Sequence, residues 1–173
     1  EPAELLMFKD VSDRLDHVHH EDPYTDVNVQ PLLPTKPSRQ GPGISWIDYD
    51  RDGDDDLFIA SGKGGKTAVF NNDGEGQFEP ATIDANQNRA KGDQTTILGW
   101  HTGDGMNLVT GSANFEQGDP TASSAMVHVA GDDSIAAREI PGILSTTGPL
   151  AAADYNGDGE MDLFVGGRFI PGQ

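Results

Sequence analysis

Six acids fall within residues 48–56 of the stretch DYDRDGDDDLF, directly before an apolar run. Such a density of one charge suits three chemistries: carboxylates acting as acid and base, a cation site, or a solvated turn. Counted from Asp48, carboxylates occupy positions 1, 3, 5 and 9 (Asp48, Asp50, Asp52, Asp56), with Gly53 at position 6. Alternating side chains around a tight turn can converge on one hard cation. The glycine lets the backbone reverse so that the position-7 carbonyl, that of Asp54, points inward. Oxygen-only donors favour Ca²⁺ over zinc or copper. An EF-hand would place a bidentate Glu at position 12, where this chain has Ile59. The expectation is therefore a short strand–loop–strand site with Asp56 as its bidentate ligand.

The arrangement returns 106 residues later as DYNGDGEMDLF, with Asp154, Asn156, Asp158 and Asp162 at the same positions. Gly159 stands at position 6, Glu160 offers the position-7 carbonyl, and Val165 is at position 12. Repetition with identical glycine placement favours two Ca²⁺ sites over two solvated turns. A degenerate copy, ILGWHTGDGMNLVTGS, lies between them and carries Gly99, His101 and Gly103 at positions 1, 3 and 5. That copy is expected to be metal-free.

Other groupings carry weaker chemistry. ASGKGGKT ends like a phosphate-binding loop, but Ala60 replaces the first glycine, and AVFNNDGEG reads as strand and turn rather than the required helix. A glycine-rich hairpin with solubilising lysines is the better reading. DHVHHED offers His17, His19, His20 and Glu21 to a transition metal, or a catalytic base with Tyr24 nearby. A polar loop with one satisfied histidine is the plainer alternative. His101 and His128 read as structural. Trp46 and Trp100 read as core between repeats rather than as sugar-stacking platforms. Acids are too numerous to select a glycosidase pair, and no nucleophile elbow is present.

These loops need strands to hold them. ISWI and LFIA flank the first loop, followed by TAVF, the turn cluster NNDGEG and QFEPAT. TTILGW, NLVTG and AMVHVA follow, before a turn at Gly131-Asp132-Asp133. Aligning Leu57, Leu108 and Leu163 gives intervals of 51 and 55 residues, a repeat of four short strands such as forms the blade of a β-propeller. The expected fold is all-β. An N-terminal segment at 1–40, possible completion of a blade, precedes three repeats: 41–94 with a calcium loop, 95–147 degenerate, and 148–173 with a calcium loop but ending mid-blade. Residues 4–22 carry a helical alternative.

The formal net charge is −18 with a pI near 4.3, and the 11 basic residues are scattered, which argues against nucleic acid as a partner. Compacting so much charge costs self-repulsion. Two Ca²⁺ ions would reduce it to −14. With no cysteine there is no disulfide framework or thiolate site. No apolar run is long enough for a transmembrane segment. A start at Glu1 suggests a mature or trimmed product.

DYDRDGDDDLF…NNDGEGQF and DYNGDGEMDLFVGGR resemble the FG-GAP/VCBS repeat family, whose blades carry a loop of the form D-x-[DN]-x-D-G-x-x-D-[LI]. FKDVS, GPGISW and GGRFIPG are similar to the ASPIC/UnbV, cartilage-acidic-protein-like group. The resemblance covers most of 8–173 and implies an integrin-α-like propeller, usually seven-bladed, with structural calcium. It also implies an exported protein, extracellular, on the cell surface or periplasmic, that binds a protein or polysaccharide ligand in adhesion. The alternative is a carbohydrate-active enzyme, polysaccharide lyase-like, on the same scaffold. The family's Phe-Gly…Gly-Ala-Pro signature is not evident. Three repeats cannot close a seven-bladed ring, so the expectation is a fragment or self-assembly with other copies.

Overall fold

The computed structural model describes residues 8–83, 89–103, 105–119, 122, 125–131, 134–142 and 144–171. Its regular structure is antiparallel strand, interrupted by short 3-10 turns, so the fold is all-β. The first sheet runs in chain order: β1 (Ile44–Ile47), β2 (Asp56–Ile59), β3 (Ala68–Asn72) and β4 (Phe78–Ala81). The second repeats that order with β5 (Gln94–His101), β6 (Met106–Ser112), β7 (Ala125–Gly131) and β8 (Ser134–Ile140). A hairpin of β9 (Thr147–Ala153) and β10 (Asp162–Gly167) follows. Each sheet is an up-and-down meander. β1 lies against β5, and β5 against β9.

Alternation along the strands assigns each face a partner. In β2, Phe58 is fully buried and joins Ile47, Val69 and, from the second sheet, Ile97, Met106 and Leu108. Its neighbours Leu57 and Ile59 face the opposite way, with Phe70 and Phe78. In β6, Leu108 points back to the first sheet, and Val109 points forward to Leu150, Leu163 and Val165 of the hairpin. In β10 the same register recurs. Leu163 and Val165 face the second sheet, whereas Phe164 is 65% exposed. Phe164 thus holds the forward-facing place that Phe58 and Val109 fill in the two sheets before it, with Ala151 opposite it in register.

Residues 8–40 contain 3-10 turns at Ser12–Arg14, Asp26–Asn28 and Pro37–Arg39, and no α-helix or strand among those described; residues 4–7 of the helical alternative lie outside the described part. Leu15 covers the Leu57–Phe70 cluster. The amide of Asp22 donates to the Lys63 carbonyl at 2.9 Å. Asp26, 3% exposed, accepts from the Ser38 amide and hydroxyl at 3.0 and 2.6 Å and ties the segment together. The glycines of ASGKGGKT serve this contact. A Cβ on Gly62 would meet the His20 carbonyl at 2.8 Å and the Glu21 side chain at 2.9 Å. The loop joins β2 to β3 as a hairpin, as its composition suggested.

Trp100 packs in the cluster between the second sheet and the hairpin, where a core residue was expected. Trp46 does not share such a place. It is 51% exposed beside Ile44, because no sheet among the described residues covers that face of β1, and its ring rests on Phe78 at 6.0 Å. His128 lies on β7, with its side chain outside the described part, as are Asp132 and Asp133 of the expected turn. No helix among the described residues is long and apolar enough to cross a membrane.

Facing direction, not residue type, should set the cost of truncation. Phe58→Ala is expected to lose about 3–5 kcal/mol. Phe164→Ala, at the matching register position, should lose less than about 1 kcal/mol. Urea unfolding of the two variants checks this; equal losses would contradict the assignment of faces.

Candidate metal centre

Asp56 roots the first acidic loop. It is fully buried at the start of β2, and a buried carboxylate needs donors. Its Oδ2 accepts from the Tyr49 amide at 2.9 Å and its Oδ1 from the Asn72 amide of β3 at 3.0 Å. Asn72 Nδ2 donates in turn to the Asp55 carbonyl at 3.0 Å. Both ends of the loop are therefore fastened to the third strand through one side chain.

That anchor gathers the acids above it. Asp48, Asp50 and Asp56 each offer an oxygen, all within 4.8 Å of one another. Asp48 Oδ1 is buried without a hydrogen-bond partner. Partial burial, followed by the charges of Asp52, Asp56 and Asp48, pushes the Asp50 carboxyl above the ordinary carboxylate range; a bond from the Asp52 amide opposes the shift. Asp52 stays exposed and accepts the Asp54 amide at 2.9 Å. Asp54 turns its carboxylate over Gly74, where a Cβ would meet its Cγ at 2.7 Å. The converged set is thus Asp48, Asp50 and Asp56, with Asp52 and Asp54 shaping the turn.

The degenerate copy braces this loop. Arg51 has φ of +65°, a left-handed conformation unfavourable for a side-chain-bearing residue. Its guanidinium donates to His101 Nδ1 at 3.1 Å and to the carbonyls of Thr102 and Gly105 at 3.1 and 3.3 Å. With Nδ1 accepting, His101 carries its proton on Nε2 and donates it to the Asp48 carbonyl at 2.6 Å. His101, at a lost ligand position, now steadies the backbone of a ligand residue in the neighbouring copy.

The second loop has the same skeleton and a different outcome. Asp162 Oδ2 accepts the Tyr155 amide at 3.1 Å, Asn156 Oδ1 the Asp158 amide at 2.8 Å, and Asp158 Oδ1 the Glu160 amide at 2.9 Å. Each bond has its counterpart in the first loop. The bond from the Glu160 amide, then that from Asn156, holds the Asp158 carboxyl below its usual range. Left-handed residues also match, with Gly157 and Gly159 where the first loop has Arg51 and Gly53. Asp154, however, folds back to accept three amides, those of Gly157, Asp158 and Gly159, at 2.7–3.1 Å. Asp162 is exposed, and no third strand among the described residues presses on it. Asp154, Asp158 and Asp162 therefore do not gather as the first three do. Comparison with known proteins returned no matching family model, curated protein or solved structure.

The histidine segment does not form one cluster. His17 sets its ring edge-on to Phe70 at 6.0 Å, and burial, then the charge of His19, lowers its pKa. His20 Nε2 meets Asp22 Oδ1 at 3.2 Å. His19 and Glu21 instead line a small pocket with Asp93. Tyr24 packs edge-on to Phe115 at 5.8 Å, its hydroxyl pKa raised by burial and then by Glu116 and Asp26. Sequence reasoning passed over Asp93 and Glu116, which are single acids in unremarkable surroundings. Asp93 is 6% and Glu116 8% exposed. Burial, followed by the charge of Asp93, pushes the Glu116 carboxyl up to about 7, and Lys63 Nζ, 4.0 Å away, offsets only part of this.

Glu116 should leave a signature in stability against pH. Its folded pKa lies above its ordinary value of 4.5, so the folded state holds the proton more tightly. Its contribution is complete below about pH 4.5 and declines as pH rises through about 7. Glu116→Gln should flatten the slope of unfolding free energy between those limits. An unchanged slope would show that Glu116 ionises freely in the folded protein.

Proposed function

We propose that this chain is a calcium-stabilised propeller segment of an exported protein of FG-GAP/VCBS type, serving as a binding or adhesion scaffold. One observation carries the calcium reading: Asp48, Asp50 and Asp56 converge while Asp48 Oδ1 lies buried with no donor. An anionic oxygen in that position is costly unless a cation completes it. The donors are carboxylate oxygens of the kind that Ca²⁺ takes in a flexible shell, so the residues fit the ion. The Asp54 carbonyl and Asp52 stand next in the loop to complete the shell.

The second site uses Asp154, Asn156, Asp158, the Glu160 carbonyl and Asp162. Binding there must first release Asp154 from three amides, so this loop is the weaker of the two. The role of the ion is structural. It neutralises clustered acids and fixes the turn between two strands. An exported location agrees with the millimolar calcium outside cells, which saturates even modest sites. Successive four-stranded meanders with forward- and backward-facing residues support the propeller reading, and exposed Phe164 marks the face on which the next blade would pack. The intended ligand is a protein or polysaccharide.

Removing calcium with EDTA should lower the melting temperature by about 5–10 °C, corresponding to roughly 2–3 kcal/mol of linked stabilisation, and added Ca²⁺ should restore it. Asp50→Asn should remove most of that response and Asp154→Asn less. A melting temperature indifferent to both EDTA and Ca²⁺ would sink the calcium reading.

A further inference from the structure

Both internal interfaces are built the same way on the first strand of a sheet. Trp46, Gly99 and Ala152 pair with the aligned leucines Leu57, Leu108 and Leu163, so the three are equivalent backward-facing positions. Ile47, Trp100 and Ala153 follow them and face forward. Two residues before Trp46, Gly99 and Ala152 stand Ile44, Ile97 and Leu150, which face backward again. Ile97 and Leu150 are 2% and 7% exposed, because each packs on the forward face of the sheet before it. Ile44, at the same place in the first sheet, is 61% exposed.

Inside the molecule a bulky forward residue meets a small backward one. A Cβ on Gly99 would come within 2.7 Å of Ile47 Cδ1, and Trp100 and Ala152 hold the same two places in the next interface. The outer faces invert this order. The backward face of β1 carries half-exposed Trp46, and the N-terminal segment, which covers Leu57 and Phe70 through Leu15, leaves it and Ile44 open. The forward face of the hairpin carries exposed Ala151 and Ala153, which with Tyr155 and Phe164 border an open hollow. A projecting ring on one outer face thus matches a hollow on the other. We propose that the Phe164 face binds the β1 face of a second copy of this chain, head to tail, with Trp46 seated over Ala151 and Ala153. β9 of one copy would then lie on β1 of the next, as β1 lies on β5 and β5 on β9 within the chain. The contact is heterologous, so copies add as a ring or a filament. It rests on the blade stacking of the reading above and not on its calcium. Each copy carries −18, so the contact is weak in dilute salt and tightens as salt screens the repulsion.

Sedimentation velocity over a concentration series, at low and high salt, tests the pairing. The wild-type chain should associate with concentration, and more tightly at high salt. Trp46→Ala and Ala151→Arg both change exposed side chains, so each should keep the melting temperature of the dilute wild type. Each should also weaken association at least about tenfold, as expected for the centre of an interface. Mixed together, the two variants should form a heterodimer and stop there, since one retains the hollow and the other retains Trp46. A wild type that stays monomeric throughout overturns the proposal. So does association that neither variant weakens, which would place the contact on another surface. If a monomeric wild type still melts lower in EDTA, this pairing fails while the calcium reading stands.

Discussion

The structure depends on a buried carboxylate at the root of an acidic turn. Asp56 is sealed from solvent, and its two oxygens accept amides from the loop it closes and from the strand beyond. Without these bonds its buried charge would be costly, and without its carboxyl the amides of Tyr49 and Asn72 would lose these acceptors. The pairing fixes where β2 begins. That sets which residues of the strand face forward or backward, and hence how the first sheet meets the second. The same side chain brings its neighbours Asp48 and Asp50 within reach of one another. Local turn chemistry and the packing of sheets are therefore two results of one interaction.

The two acidic loops separate what the motif specifies from what its surroundings add. Both have the amide of the second residue on the ninth side chain and the same pair of aspartate- or asparagine-capped turns. Among the described residues, only the first has a third strand over its ninth residue and a neighbouring loop against its first. There, Arg51 holds His101, which donates to the Asp48 carbonyl. In the second loop, which lacks both supports among the described residues, Asp154 satisfies itself on its own backbone. A motif of this kind encodes the turn; packing decides whether its first carboxylate stays available.

Much of this was legible from spacing. Strand positions followed from alternation and from turn residues, and the repeat aligned Leu57, Leu108 and Leu163, whose shared backward face only the packing showed. The acids Asp48, Asp50 and Asp56 stood out because glycine and a following apolar run fixed their frame. Long-range pairs were not legible. Arg51 reaches His101, 50 residues away, and no local pattern marks an arginine in a left-handed conformation. Asp93 and Glu116 come from different connections and acquire their character only when the N-terminal segment lies over them. The outward face of Trp46 was also hidden, since an aromatic residue reads as core wherever a sheet is assumed to cover it.

Anomalous diffraction from crystals soaked in a calcium-mimicking lanthanide addresses the central claim most directly, because it locates the ion instead of inferring it from stability. The strongest peak should lie within about 2.3–2.6 Å of carboxylate oxygens from Asp48, Asp50 and Asp56, with any peak at the Asp154 loop weaker. Strong peaks elsewhere on the molecule, with none among those three side chains, would contradict the reading of the first loop as a metal centre.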